Sequence, residues 1–201
     1  MLPLGILVTG DPVPLTLEKR GDFARLFQQS VGSAWTDSWV VVDCRVEQRL
    51  PAAADLAGLI VTGSAASVLD AEPWVLNGQA YLKAIVAAKV PVLGVCFGHQ
   101  MLAQALGGRV ERNPRGREMG TVELSVERDD PILSDVHRPY EVNMSHVDSV
   151  VEPPPGSRVL GRTERDPHAA LRFSETAWGV QFHPEFDKEI VGHYARTRAG
   201  F

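Results

Sequence analysis

The chain has 201 residues, a length that suits one domain with a sizeable core. Hydrophobic residues make up 44% and charged residues 22%, the balance of an ordinary globular protein, which excludes wholesale disorder. The net charge of −5 lacks the basic footprint of a nucleic-acid or anionic-membrane binder.

No apolar run approaches the ~18 residues of a membrane span. No Lys or Arg precedes Lys19, so the apolar start lacks the cationic region of a secretory signal. Two isolated cysteines, Cys44 and Cys96, with no CxxC pair, make neither a disulfide framework nor a zinc site. A cytoplasmic location is expected.

In chain order, Leu4–Thr9, Trp39–Cys44, Gly58–Thr62 and Val90–Val95 are short, β-branched apolar runs closed by Gly or a polar residue. They predict strands buried on both faces. Between them, Asp22–Ser30 predicts a helix capped by Asp22, with Phe23, Leu26 and Phe27 on one face. Pro73–Ala88 predicts another, with Leu76, Ala80, Ala84 and Ile85 inward. His99–Leu106 predicts a third, stopping at Gly107-Gly108. Strands alternating with helices imply a parallel, doubly wound α/β sheet. Beyond it, Val122–Val126 and parts of Arg158–Phe173 alternate apolar and polar residues, which predicts appended antiparallel strands. Trp178–Phe182 predicts a buried strand, and Asp187 caps a last helix with Ile190, Val191 and Tyr194 inward. With no long linker or repeat, residues 1–201 are expected to form a single domain.

The chemistry concentrates at Val90–Gly108. A buried strand runs into Gly94-Val95-Cys96-Phe97-Gly98 and a helix starts at once. Glycines on either side permit a sharp turn at the end of a strand, where α/β sheets bind ligands. A helix N-terminus there favours thiolate. Cys44, inside an apolar strand, is expected to be an inert core residue. A thiol nucleophile needs a base and an orienting group. His183 ends a strand and Glu185 lies two residues on, on the same side of an extended chain. A metal site at His183 and Glu185 lacks an HExxH or second His pair, so no metal or cofactor is expected. The loop Gly10–Pro14 opens toward the site, and Asp11 there either reads a substrate ammonium or forms an Asp-Pro turn. Arg109, Arg112, Arg115 and Arg117 are the one basic concentration, read as a solvated hairpin partly neutralised by Glu111 and Glu118, with partner docking or an anionic substrate as the alternative.

Gly94-Val95-Cys96-Phe97-Gly98-His99-Gln100, followed by Gly179-Val180-Gln181-Phe182-His183-Pro184-Glu185, resembles the class I glutamine amidotransferases, from Leu4 to about Phe186. Within that family the chain is most like the glutaminase part of GMP synthase and its stand-alone relatives. Arg117-Glu118-Met119-Gly120 resembles their REFG segment, and Ser145–Val150 their SHGDxV. The resemblance implies a flavodoxin-like, three-layer α/β fold, a mostly parallel sheet with appended antiparallel strands. It implies Cys96 as nucleophile, His183 as general base then acid, and Glu185 as orienter. Gly63-Ser64 falls at the family's oxyanion loop, so the N–H groups of Ser64 and Phe97 are the implied donors, although Ser64 and Ala65 replace a glycine and a proline. Gln100, Ser145 and His146 match substrate-binding positions, with Val147 replacing a glycine; a satisfied loop histidine is an equally weighted account of His146.

The function expected is Cys-dependent hydrolysis of the glutamine γ-amide through a γ-glutamyl thioester, with ammonia supplied to a separate synthetase, since the chain carries no SGGxDS-type phosphate loop. The alternatives are a γ-glutamyl peptidase acting on small γ-glutamyl compounds and, from another class, a non-catalytic binding or regulatory module. A redox cysteine resembling DJ-1 is disfavoured by the HPE motif.

Overall fold

Parallel strands buried on both faces need helices on both sides, and the chain supplies them in alternation. A computed structural model describes residues 1–133 and 139–198. The first half runs β1 (Leu4–Val8), α1 (Pro14–Arg20), α2 (Phe23–Val31), β2 (Trp39–Asp43), β3 (Gly58–Val61), α3 (Pro73–Ala87), β4 (Val92–Val95) and α4 (Phe97–Ala105). The second half runs β5 (Arg109–Arg112), β6 (Glu118–Val126), β7 (Tyr140–His146), β8 (Asp148–Glu152), β9 (Arg158–Arg162), β10 (Ala170–Arg172), β11 (Ala177–Val180) and α5 (Lys188–Arg198).

Nine strands form one sheet in the order β2-β1-β3-β4-β11-β10-β9-β6-β7. The first five are parallel and follow the flavodoxin-type order, while β10, β9, β6 and β7 add antiparallel strands at one side. The α/β class read from the alternation is therefore the observed one. Ile6, Ile60 and Val95 pack with residues of α2 and α5, whereas Leu7, Leu59, Val61 and Val92 pack with α3 and α4. These are the two faces of one sheet. The register pairs Val180 with Val95 and Gly94 with Val61, so the ends of β3, β4 and β11 lie side by side. That alignment brings together Gly63, Cys96 and His183, which the sequence separates widely.

Four details differ from the sequence reading. Helix α1 occupies the stretch after Gly10–Pro14, with Pro14 in its first turn; Thr16 is its only fully buried residue, so no apolar face announced it. Strand β2 lies at the sheet edge with Val41 46% exposed, so it is not buried on both faces. Helix α3 buries Val75, Gly78, Leu82 and Ile85, and only Ile85 of the expected inward set. Its inner face is set by Gly78, where any Cβ would collide with the Met101 side chain, and a glycine carries no apolar mark in a sequence pattern. Finally, β5 and β8 pair as a separate two-stranded antiparallel ribbon, which fixes the start of the arginine-rich segment. At α2 the expectation holds in detail: Asp22 accepts a hydrogen bond from the Arg25 N–H at 2.8 Å. Asp187 caps α5 by accepting from the N–H groups of Glu189 and Ile190 at 3.0 Å each. Its buried residues are Ile190, His193 and Tyr194, with Val191 half-buried beside them.

Candidate active site

Cys96 sits between β4 and α4 with φ 53° and ψ −106°, a conformation an L-residue adopts only under strain of roughly 1–3 kcal/mol. Backbone hydrogen bonds hold it there. Its N–H donates to the Val180 carbonyl at 2.8 Å, and its carbonyl accepts from the Gln100 N–H at 3.1 Å. The flanking glycines serve a different purpose from the expected backbone freedom, for neither has a positive φ. A Cβ on Gly94 would strike the Gly98 backbone, and one on Gly98 would strike the Val61 carbonyl. They let the helix N-terminus press onto the strands, and the strained turn falls on Cys96 itself.

His183 follows β11, and its Nδ1 lies 2.7 Å from Glu185 Oε1. Both side chains are buried. The ring stacks on Phe186 at 4.0 Å between centroids, with Phe23 at 6.2 Å. Asn143 of β7 fastens this turn: its carbonyl accepts from the His183 N–H at 2.9 Å, and its side-chain amide donates to the Phe186 carbonyl at 2.8 Å. Nothing in the sequence singled out Asn143, because its partners are forty residues away. Burial pulls the His183 imidazole down, but Glu185 and the Cys96 sulfur outweigh it and push it up to about 10. Burial would raise the Cys96 thiol, yet the charge and hydrogen bond of His183, with a smaller pull from His146, bring it below its ordinary value. Both shifts favour a thiolate–imidazolium pair. Cys44 is the reverse case, since burial and Asp43 push its thiol up to about 12. Iodoacetamide at neutral pH is therefore expected to label Cys96 well before Cys44, by at least ~100-fold in rate; peptide mass spectrometry reads this, and equal labelling would contradict it.

Gly63 closes the other side. An added Cβ would lie 2.9 Å from the His183 ring and 3.6 Å from the Cys96 Cβ. The Gly63 carbonyl accepts from the Thr9 hydroxyl at 3.0 Å, and the Thr9 N–H donates to the Thr62 hydroxyl at 3.0 Å. This loop cannot easily withdraw, so Gly63→Ala is expected to displace the imidazole or the Ser64 amide by up to about an ångström. Such a shift costs on the order of 10²-fold in kcat/KM; wild-type activity in that variant would show that the site tolerates the crowding. Among the described residues, the N–H of Ser64 makes no backbone hydrogen bond, and that of Phe97, the first residue of α4, has no partner within the helix.

A cavity of about 380 Å³ opens over Cys96, with Ser64, Phe97, Gln100, Ser145 and His146 in its wall. Gln100 donates to the Asp148 carbonyl at 2.7 Å and to Gln181 Oε1 at 3.0 Å. The Ser145 hydroxyl is buried without a hydrogen-bond partner. The His146 ring is engaged within the protein, with Nδ1 2.9 Å from the Asp148 carbonyl and Nε2 3.2 Å from Glu118 Oε2. Arg112 and Arg198 also reach this wall, and neither forms a salt bridge among the described residues. Sequence reading assigned neither to the cavity. Asp11 lines a neighbouring hollow instead, its carboxylate 2.6 Å from Arg45. In the arginine-rich segment, Arg109 is neutralised by Glu111 and Glu152, and Arg115 donates to the Glu164 carbonyl. Another cavity, about 670 Å³, lies over β6 and the end of β9, with Glu118 in its wall. Among the described residues, no three His, Cys, Asp or Glu side chains gather as a metal site, and no helix is long and apolar enough to cross a membrane.

The family model described as glutamine amidotransferase class-I matches residues 32–195. That span includes Gly63, Cys96, His183 and Glu185. The chain belongs to the class I glutamine amidotransferases. A GMP synthase (glutamine-hydrolysing) of Aeropyrum pernix is 32% identical over 188 residues, covering 91% of this chain and 36% of that protein. One from Thermosipho africanus is 40% identical over 138 residues, covering 68% of this chain and 25% of that protein. The chain thus spans between a quarter and just over a third of these two relatives. A glutamine amidotransferase of Methylobacillus flagellatus superposes with a TM-score of 0.81 at 24% identity, over 99% of this chain and 76% of that one. At that identity the likeness speaks for the amidotransferase fold.

Proposed function

We propose that this amidotransferase domain hydrolyses the γ-amide of glutamine, with Cys96 as nucleophile, His183 as acid and base, and Glu185 as the group that orients the imidazole. The observation that carries this reading is the strained Cys96 turn beside a His183 imidazole gripped by Glu185, opening on a cavity. The thiolate attacks the γ-carbonyl carbon and the carbonyl oxygen takes the negative charge. The N–H groups of Ser64 and Phe97 receive that oxyanion, and one such donor is worth about 3–4 kcal/mol of barrier elsewhere. The carbon–nitrogen bond then breaks as His183 protonates the departing ammonia, leaving a γ-glutamyl thioester. His183 next takes a proton from water, the hydroxide cleaves the thioester, and glutamate leaves. Gln100 and Ser145 line the end of the cavity that takes the amino-acid part of the substrate. The likeness to the glutaminase part of GMP synthases supports delivery of the ammonia to a synthetase carried elsewhere.

A second reading keeps the chemistry and changes the leaving group to the amine of a γ-glutamyl peptide. Arg112 and Arg198 at the cavity wall, which form no salt bridge among the described residues, favour it, since they suit an anionic group beyond the scissile amide. The test incubates the purified chain with glutamine and, separately, with γ-glutamyl dipeptides, beside Cys96→Ala. Cys96-dependent glutamate and ammonia from glutamine support the glutaminase. Dipeptide cleavage with little glutamine turnover supports the peptidase. Turnover of neither, alone or with cell extract added, overturns both.

A further inference from the structure

A second histidine–carboxylate cluster adjoins the cavity, whose wall includes His146. His146 of β7, Glu118 of β6 and Asp166 are all buried, with side-chain exposures of 1%, 4% and 0%. The pairing of β6 with β7 sets Glu118 directly opposite His146. Glu118 Oε2 accepts from the Thr163 hydroxyl at 2.9 Å and faces His146 Nε2 at 3.2 Å. Asp166 Oδ2 stands 4.0 Å from the same nitrogen. On the other edge of the ring, Nδ1 faces the Asp148 carbonyl at 2.9 Å, with the Ser149 hydroxyl at 3.4 Å.

These contacts fix a proton count. A carbonyl oxygen only accepts, so Nδ1 carries a hydrogen. A carboxylate only accepts as well, so a second proton lies between Nε2 and Glu118. Leaving it out would set a nitrogen lone pair against a buried carboxylate, at the cost of an unsatisfied charged acceptor. Burial alone would lower the His146 imidazole, but Glu118, Asp166 and the Cys96 sulfur outweigh it and raise it. The Asp148 carbonyl that Nδ1–H holds is also the acceptor for Gln100. One imidazole therefore braces the wall that carries Gln100 and faces Cys96.

We propose that Glu118 is a positioning residue that keeps His146 protonated, so that its imidazolium both locks the Asp148 carbonyl and adds positive charge to the cavity wall it shares with Cys96. This rests on Cys96 being the nucleophile. Two histidines thus act on the sulfur, His183 paired with Glu185 and His146 paired with Glu118. The other ionisable groups around it are Glu185 and Tyr194, and Asp70, Arg112, Asp148 and Arg198 of the cavity wall. His99, also buried nearby, is pushed down to about 3 by burial and by its neighbours His168 and His146, and it stays neutral.

The test reads Cys96 directly, so it remains defined whether or not glutamine proves to be the substrate. Iodoacetamide labelling of Cys96 is followed from pH 5 to pH 10 in wild type, Glu118→Gln and His146→Asn. Glu118→Gln removes the charge at nearly the same size; because one oxygen, Oε2, meets both Thr163 and Nε2, an NH₂ placed there donates to a neutral Nε2 and Thr163 loses that acceptor. Asparagine at 146 keeps a donor for the Asp148 carbonyl. In both, labelling at neutral pH is expected to slow by roughly tenfold, because an opposite charge near the thiol is lost. A merely structural role would leave the profile of the folded variants where it is. Histidine ¹⁵N NMR of the wild type, with the His146 resonances assigned by their loss in His146→Asn, is expected to show both ring nitrogens protonated at pH 7.5. A neutral His146 there, or unchanged labelling profiles in folded variants, overturns the proposal.

Discussion

The His183→Asn variant is expected to lose about 10⁴-fold or more in glutamine turnover, as removal of the base from a nucleophile–base unit does elsewhere. Two effects act together. The proton that leaves with ammonia has no other carrier, because Glu185 reaches the reaction only through the imidazole. The thiol also loses its principal stabilising charge, so burial and the Glu185 carboxylate push it upward. Labelling of Cys96 by iodoacetamide at neutral pH should therefore fall in the same variant. The substitution strands a carboxylate whose side chain is fully buried, which costs roughly 3–5 kcal/mol when a buried partner is removed. The double variant His183→Asn/Glu185→Gln removes that charge, so its stability should recover while its activity does not. Steady-state assays and urea denaturation read both halves; retained turnover in a folded variant would show that His183 is not the base.

What the sequence made legible follows from how local each signal is. The parallel strands could be read because each is a short apolar run ended by a glycine or a polar residue, a pattern complete within six residues. The Cys96 turn was legible for the same reason. The cause assigned to its glycines was not, since the collision that excludes a side chain at Gly98 comes from Val61, on another strand. Strand β2 misled because an edge strand and a central strand share one composition, and only the strand order tells them apart. The α3 face misled because its contact is made by Gly78.

The site divides along the same line. Cys96, His183 and Glu185 lie in two contiguous motifs whose residue types carry their own chemistry. Their supports come from afar: Asn143 holds the His183 turn from β7, Thr9 holds the Gly63 loop from just past β1, and Glu118 meets His146 only through the β6–β7 register. An isolated Asn, Thr or Glu has no spacing to betray it. His146 shows the boundary well. Its segment was recognisable, but the direction of its ring is fixed by two acceptors that only the folded sheet supplies.

The Glu185→Gln variant separates orientation from charge at the triad. Glu185 Oε1 takes the bond to His183, while Oε2 is buried without a partner. In the glutamine variant, an amide whose oxygen stays on Nδ1 buries its NH₂ where Oε2 was, unsatisfied, at about 1–3 kcal/mol. Rotating the amide places NH₂ against Nδ1 and forces the opposite tautomer, whose Nε2–H no longer accepts the thiol proton. That second arrangement is the cheaper one, and an analogous carboxylate-to-amide change drops kcat by ~10⁴; a loss of 10² to 10⁴ is expected here. The pH profile moves with it. In the wild type, Glu185 helps hold the His183 imidazole at about 10, so the protonated form needed to release ammonia persists to alkaline pH. Without the carboxylate the imidazole gives up its proton at lower pH, and the alkaline limb of kcat should move toward neutrality. An unchanged alkaline limb would mean that Glu185 orients the ring without holding its proton. An unchanged kcat would remove Glu185 from the mechanism.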